Sequence, residues 1–244
     1  MGSKFYFNKI MKTKQNSKGW TAKTENEKKA APGVKKIHNL IIVDESGSMS
    51  SLYNVALTGM NETLETIRQA AAEAPEQTQE VTLVTFDSSH YNKIFDSVPA
   101  GETRKLTTAD YHPCACTPLY DAMGRGLTEL EKKVKENESV LVTVITDGYE
   151  NASCEFTLAE IKALVERLDK AGWLFSYIGA NQDSAAVGRS MGISDTLDFC
   201  ATEEGMNDMW VCERNARKEF YKVSQRADFA PKEFERGSFF KKKK

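Results

Sequence analysis

Two apolar, β-branched runs in this chain stop abruptly at an aspartate. Leu40-Ile41-Ile42-Val43 ends at Asp44, and the run from Ser139 to Thr146 (SVLVTVIT) ends at Asp147. A segment apolar at nearly every position leaves no face for water, so each run predicts a strand buried on both sides, as in a parallel sheet. The closing acid marks where each strand surfaces. Both carboxylates are therefore expected at one edge of the sheet.

The intervening sequence alternates between strand and helix periods. Leu52 to about Ala74 carries Leu57, Met60, Leu64, Ile67 and Ala71 at three- and four-residue spacing, which predicts a helix ended by Pro75. Glu80 to Phe86 predicts a second strand, and Tyr91 to Val98 a strand paired to it across the Asp87-Ser88-Ser89 turn. Pro118 opens a helix running to about Glu136. A helix over Thr157–Ala171 with Gly172 at its stop, a strand over Trp173–Gly179 and a short helix over Ser184–Met191 follow. A weaker strand over Leu197–Ala201 and a last amphipathic helix from about Glu204 to Gln225 complete the pattern. Such alternation specifies an α/β fold with a mostly parallel central sheet, one antiparallel edge strand and helices on both faces. Ligands of such sheets collect at the carboxyl ends of the strands, near the switch in strand order.

The 244 residues suit one substantial core rather than two. Residues 1–36 are rich in lysine and lack a hydrophobic period, so they read as a basic arm, although Phe5-Tyr6-Phe7 and Trp20 favour partial docking. The domain is expected over 37–226, and residues 227–244, closing on four lysines, read as a basic tail. A formal net charge of -2 gives no global pull toward nucleic acid or membrane, leaving only the basic ends for such a role. No apolar run reaches the roughly 18 residues of a membrane span, and the N-terminus has neither signal-peptide nor myristoylation pattern. Five scattered cysteines argue against a secreted disulfide framework, and the expected location is cytoplasmic. Cys114-Ala115-Cys116, with His112 nearby, lacks the spacing and second pair of a zinc knuckle and reads as plain thiols. His38, His90 and His112 show no ligand spacing and read as ordinary surface or strand-end residues.

The chemistry gathers around the two aspartates. After Asp44, the turn Glu45-Ser46-Gly47-Ser48 offers hydroxyls two residues apart, with a glycine between them that permits a tight backbone. A further hydroxyl, Thr117, stands in the Cys116-Thr117-Pro118 loop before a helix. Asp44, Ser46, Ser48, Thr117 and Asp147 make a set of hard oxygen donors without nitrogen or sulfur. That set suits Mg²⁺ or Mn²⁺, with Ca²⁺ less favoured, rather than zinc. Neutral hydroxyls leave such an ion incompletely neutralised, with a position open to an Asp or Glu carboxylate from a partner protein. Glu45, Met49 and Tyr149 flank the expected ion as candidates for the partner-facing surface.

At these residues the sequence resembles the von Willebrand factor A (vWA) family. Asp44-Glu45-Ser46-Gly47-Ser48 matches its Asp-x-Ser-x-Ser motif, Thr117 its isolated threonine, and Asp147 within Thr146-Asp147-Gly148 its second aspartate. The likeness runs over residues 36–202 and implies a Rossmann-like fold with an intact metal-ion-dependent adhesion site (MIDAS). It implies a metal-dependent protein–protein interaction module rather than an enzyme. The run Thr146 to Asn151 looks most like intracellular bacterial members. The family often has glycines before the threonine where this chain has Cys114-Ala115-Cys116, a change expected to stiffen that loop. Two other readings stay open: a vWA-fold scaffold that binds partners without metal, and an enzyme, a metal-dependent phosphate-ester hydrolase. Against the second, a dehalogenase-type phosphotransferase needs an aspartate where Ser46 stands. The Gly-x-Ser-x-Gly elbow and the Walker loop are also missing.

Overall fold

The computed structural model describes residues 36–231 and 234–240. The expected basic arm, apart from Lys36, and the closing lysines 241–244 lie outside the described residues. Six strands form one sheet: β1 (Lys36–Asp44), β2 (Thr78–Phe86), β3 (Tyr91–Pro99), β4 (Ser139–Thr146), β5 (Leu174–Ala180) and β6 (Asp195–Phe199). Their order is β3-β2-β1-β4-β5-β6, every neighbouring pair parallel except β2 with β3. Five helices accompany them: α1 (Tyr53–Glu73), α2 (Leu119–Glu131), α3 (Leu158–Lys170), α4 (Ser184–Ser190) and α5 (Glu203–Ser224).

The strands lie between two apolar layers because successive side chains alternate across the sheet. Ile37, Ile41 and Val43 of β1, with Leu141 and Ile145 of β4, join the layer under α1 and α5. Leu40 and Ile42, with Val140, Val142 and Val144, join the layer under α2 and α3. The expected fold class is therefore the observed one. The α5 side also carries a buried polar knot. The Arg217 guanidinium pairs with Glu213 at 2.5 Å, donates to Asn39 Oδ1 at 2.9 Å and to Thr143 Oγ1 at 2.9 Å, and its pKa is pushed above its ordinary value by Glu213 and Tyr221 despite the opposing effect of burial. Both acceptors, Asn39 and Thr143, interrupt otherwise apolar strands on that face. They receive Arg217 and thereby fix α5 over the sheet. Close packing of α1 on α5 needs Gly59, where an added Cβ would lie 2.1 Å from Trp210 Nε1.

Two sequence expectations need correction here. The segment after α5 is not a free basic tail over its described part. Phe229 and Phe234 stack edge-on against Phe220 at 5.9 and 5.8 Å, and Phe239 is buried in the α1/α5 layer. The Asp195 carboxylate accepts the backbone N–H groups of Gly237 and Phe239 at 3.0 and 2.6 Å, tying the segment to β6. Its aromatic residues, not its lysines, decide where it goes. His38 is likewise no surface residue: it is buried on β1, its ring nitrogens 3.2 Å from Glu80 and 2.8 Å from Glu138.

The chain runs from β1 outward through β2 to β3, then returns to the other side of β1 with β4 and proceeds to β6. The reversal lies between β1 and β4. Their carboxyl ends deliver Asp44 and Asp147 side by side, where open α/β sheets form their binding crevice.

Candidate metal centre

After β1 the backbone turns through Glu45 and Ser46 into a short 3-10 helix over Gly47–Leu52. Asp44 closes the turn itself, its Oδ1 accepting the Ser46 N–H at 2.7 Å. Its Oδ2 accepts the Thr146 hydroxyl at 2.5 Å, a bond between the adjacent strand ends. The Ser46 and Ser48 hydroxyls meet at 3.1 Å, and Ser48 donates to Asp147 Oδ1 at 2.5 Å. Four of the five expected residues are thus linked around one point.

Gly148 shows where the fifth lies. A Cβ built on this glycine would sit 3.1 Å from Thr117 Oγ1 and 3.8 Å from both Asp44 Oδ2 and Ser48 Oγ. The side chain that glycine lacks leaves a small space faced by the oxygens of three separate loops. Thr117 is placed there by Asn151, whose Oδ1 accepts the Thr117 N–H at 2.8 Å and whose own N–H donates to the Thr117 carbonyl at 3.1 Å. Ala115 adopts a left-handed backbone, φ +56°, and its carbonyl accepts the Gly47 N–H at 3.1 Å. A residue with a Cβ rarely occupies that region, which is where glycine is at ease. The loop keeps the conformation with alanine because both ends are bonded.

Burial is the largest influence on both carboxyls. It raises Asp44 to about 6, against hydrogen bonds from Thr146 and Ser46 that pull the other way, and Asp147 adds a smaller repulsion. Burial raises Asp147 as well, opposed by the Ser48 bond. Two carboxylates held together at a buried strand edge are stabilised as anions by a cation between them. Oxygen-only donors, the vacant Cβ position and the raised pKa values all fit a hard divalent ion.

Of the three flanking candidates, one is exposed and two are buried. Tyr149 is 61% exposed beside the centre. Met49 is fully buried and anchors the 3-10 turn to the core, so it has no partner face. Glu45 is also buried, 1% exposed, and turns away from Asp44 to accept the His112 N–H and to pair with His90 Nε2 at 3.0 Å. Its place in the motif identified its position, not its direction. Two acids missed in the sequence organise the rim. Asp121 accepts the N–H groups of Cys154, Glu155 and Phe156, and Glu150 accepts those of Tyr120, Ala152 and Ser153. An acid in the first turn of α2 was the available signal for Asp121.

No family model and no curated protein matches the sequence. Solved structures do match in fold. The von Willebrand factor domain of the type V pili tip protein Mfa5 from Porphyromonas gingivalis aligns with a TM-score of 0.57 over 82% of this chain and 99% of its own, at 11% identity. This chain has the vWA fold. The SpRpn10 VWA domain aligns with a TM-score of 0.53 over 72% of this chain and 93% of its own, at 15% identity. The PilB minor pilin from Streptococcus sanguinis aligns with a TM-score of 0.54 over 79% of this chain, at 13% identity, and this chain spans 63% of that pilin's length. Among the described residues, no helix of this vWA-fold chain is long and apolar enough to cross a membrane.

Proposed function

We propose that this chain is a member of the vWA family with a working MIDAS, a module that binds another protein through a divalent metal. The observation that carries the proposal is the convergence of Thr117, Asp44 and Ser48 oxygens on the space beside Gly148, with Asp147 bonded to Ser48. Asp44, Ser46, Ser48, Thr117 and Asp147 would hold Mg²⁺ or Mn²⁺, with Ca²⁺ a poorer fit to so few carboxylates. When bound, the ion supplies Lewis acidity toward an Asp or Glu carboxylate of the partner. The chain's own residues orient the hydroxyls, shield the carboxylates from bulk water and present Tyr149 beside the open side. The module is an interaction domain rather than an enzyme in this reading, in keeping with the pilin and vWA domains that share its fold. The four exposed cysteines, unpaired in the fold, support a cytoplasmic setting of the intracellular bacterial kind.

A metal-free scaffold is the second reading, favoured by the bonds from Thr146 to Asp44 and from Ser48 to Asp147, which satisfy both carboxylates without an ion. Calorimetric titration of Mg²⁺ and Mn²⁺ into the protein and its Asp44→Ala variant separates the two. Saturable one-site binding lost in the variant supports the metal-dependent module. Absence of binding at millimolar metal, together with partner capture that resists chelation, would leave the scaffold.

A further inference from the structure

Beside the oxygen donors lies a cluster of different chemical character. The turn after β2 carries Asp87 and His90, and the loop before Thr117 carries Cys114. One ligand atom from each of these three lies within 4.8 Å of the other two. Asp87 is buried, and its Oδ1 is held by the N–H groups of Ser89 and His90 at 2.5 and 2.9 Å. Its Oδ2 receives the Cys114 thiol, with Sγ at 2.8 Å. His90 sets Nδ1 3.1 Å from Asp87 Oδ1 and Nε2 3.0 Å from Glu45 Oε2.

Glu45 is the independent sign that this is more than a capped turn. A carboxylate behind a histidine fixes which ring nitrogen carries the proton and frees the other for a metal. Glu45 is 1% exposed, and its other oxygen accepts the His112 N–H, so its direction is set by the fold. With the proton at Nε2 facing Glu45, the Nδ1 lone pair faces Asp87 and Cys114. Thiolate, imidazole and carboxylate together suit a borderline ion such as zinc, not magnesium. Zinc bonds of roughly 2.0–2.3 Å place tetrahedral ligand atoms about 3.5 Å apart. One ligand atom from each residue lies within 4.8 Å of the others, a span that includes that value, and the two shorter contacts reach different oxygens of Asp87, Sγ to Oδ2 at 2.8 Å and Nδ1 to Oδ1 at 3.1 Å. The cysteine and the imidazole are reachable from solvent, Cys114 being exposed and the His90 side chain 37% accessible.

We infer that Asp87, His90 and Cys114 form a zinc site, separate from the oxygen-donor centre, with Glu45 orienting His90. A fourth position is left for water or an incoming ligand. Zinc binding replaces the thiol proton: the Sγ–H bond breaks, the Sγ–zinc bond forms, and the proton passes to solvent without any redox change. The bound ion cross-links the turn after β2 to the loop that delivers Thr117. That loop already touches the turn through the Ser88 N–H on the Cys116 carbonyl at 3.0 Å.

The test uses the full chain, stripped of metal by chelation and titrated with Co²⁺ as a spectroscopic stand-in while excess Mg²⁺ occupies the oxygen donors. One equivalent of Co²⁺ should produce a thiolate-to-cobalt charge-transfer band that Zn²⁺ displaces. Cys114→Ser abolishes the band and His90→Gln weakens Zn²⁺ binding at least tenfold. Asp44→Ala and Cys116→Ser retain the band, the first because it disables only the oxygen-donor centre. No band in the unaltered protein, or a band that survives Cys114→Ser, would overturn the assignment. Loss of the band in Asp44→Ala would overturn the separateness of the two centres.

Discussion

Asn151 grips Thr117 from both sides, accepting its N–H at 2.8 Å and donating to its carbonyl at 3.1 Å. Neither Asn151 atom reaches the oxygen-donor centre, yet the pair fixes where the Thr117 hydroxyl points. Removing such an orienting partner typically lowers metal affinity about 10- to 100-fold. Asn151→Ala is expected to weaken Mg²⁺ and Mn²⁺ binding by about tenfold while leaving the far-ultraviolet circular dichroism unchanged. Unaltered affinity by calorimetry would show that the backbone of Pro118 and α2 suffices to place Thr117.

The Asp44 carboxyl gives the metal-free protein a definite pH dependence. Its pKa is raised by burial from 3.8 to about 6, so the folded chain holds a proton that the unfolded chain releases. The stabilising contribution is complete below pH 4 and is lost as pH rises through 6, a loss of about 3 kcal/mol by neutral pH. Asp147, also raised by burial, acts in the same direction. Denaturant unfolding in chelator at pH 5 and pH 7.5 reads the effect as a difference between wild type and Asp44→Asn, because other carboxyls such as Glu138 are lowered and oppose it. Asp44→Asn should recover much of the lost stability at pH 7.5. Metal and proton compete for the same oxygens, so Mg²⁺ affinity should fall about tenfold per pH unit below pH 6.

Arg217 and Glu213 make a different kind of prediction. Both are fully buried and paired at 2.5 Å, and Arg217 also reaches Asn39 and Thr143 on the sheet. Breaking such a pair leaves one charge without compensation and costs about 3–5 kcal/mol. Arg217→Met should therefore lower the unfolding free energy by that amount. The double change Arg217→Met/Glu213→Leu should regain a good part of it, since an apolar pair leaves no buried charge. A double variant no more stable than Arg217→Met would place the cost in Asn39 and Thr143 instead.

The elements of the fold were legible because strand and helix periods differ and the strands are nearly pure in type. The β4 run, apolar apart from Ser139, Thr143 and Thr146, admits no other reading, and the observed helices end within a few residues of their proline and glycine signals. The exception is α2, which stops at Glu131 rather than near Glu136. Asp44 and Asp147 were legible as neighbours because each stands at the carboxyl end of a strand, β1 and β4. Directions of side chains were not. Nothing in Asp-Glu-Ser-Gly-Ser says that Glu45 turns back toward His90 while its neighbours turn forward. Likewise Asp87 and His90 share one turn, but Cys114 lies more than twenty residues further along, and only the bond pattern at the β2 turn brings it to them. The neighbouring Cys116, read with Cys114 as a plain thiol, and His112, read as an ordinary surface or strand-end residue, are not among them.

The C-terminal segment was read by its charge, as a basic tail, and its aromatic residues supply the last prediction. Phe229, Phe234 and Phe239 carry apolar area that the α1/α5 layer takes up. Phe239 is 6% exposed, and its N–H is bonded to Asp195 at 2.6 Å, so its ring is held against the core from its own backbone. Phe239→Ala removes a buried ring and leaves a cavity, a change that costs about 3 kcal/mol or more. A chain ending at Gln225 loses these three phenylalanines and Phe240 and should be less stable still, with extra apolar surface that binds a hydrophobic dye. If the chain shortened to Gln225 unfolds at the same denaturant concentration as the full chain, the segment adds nothing to the core and the stability lies within β1 to α5 alone.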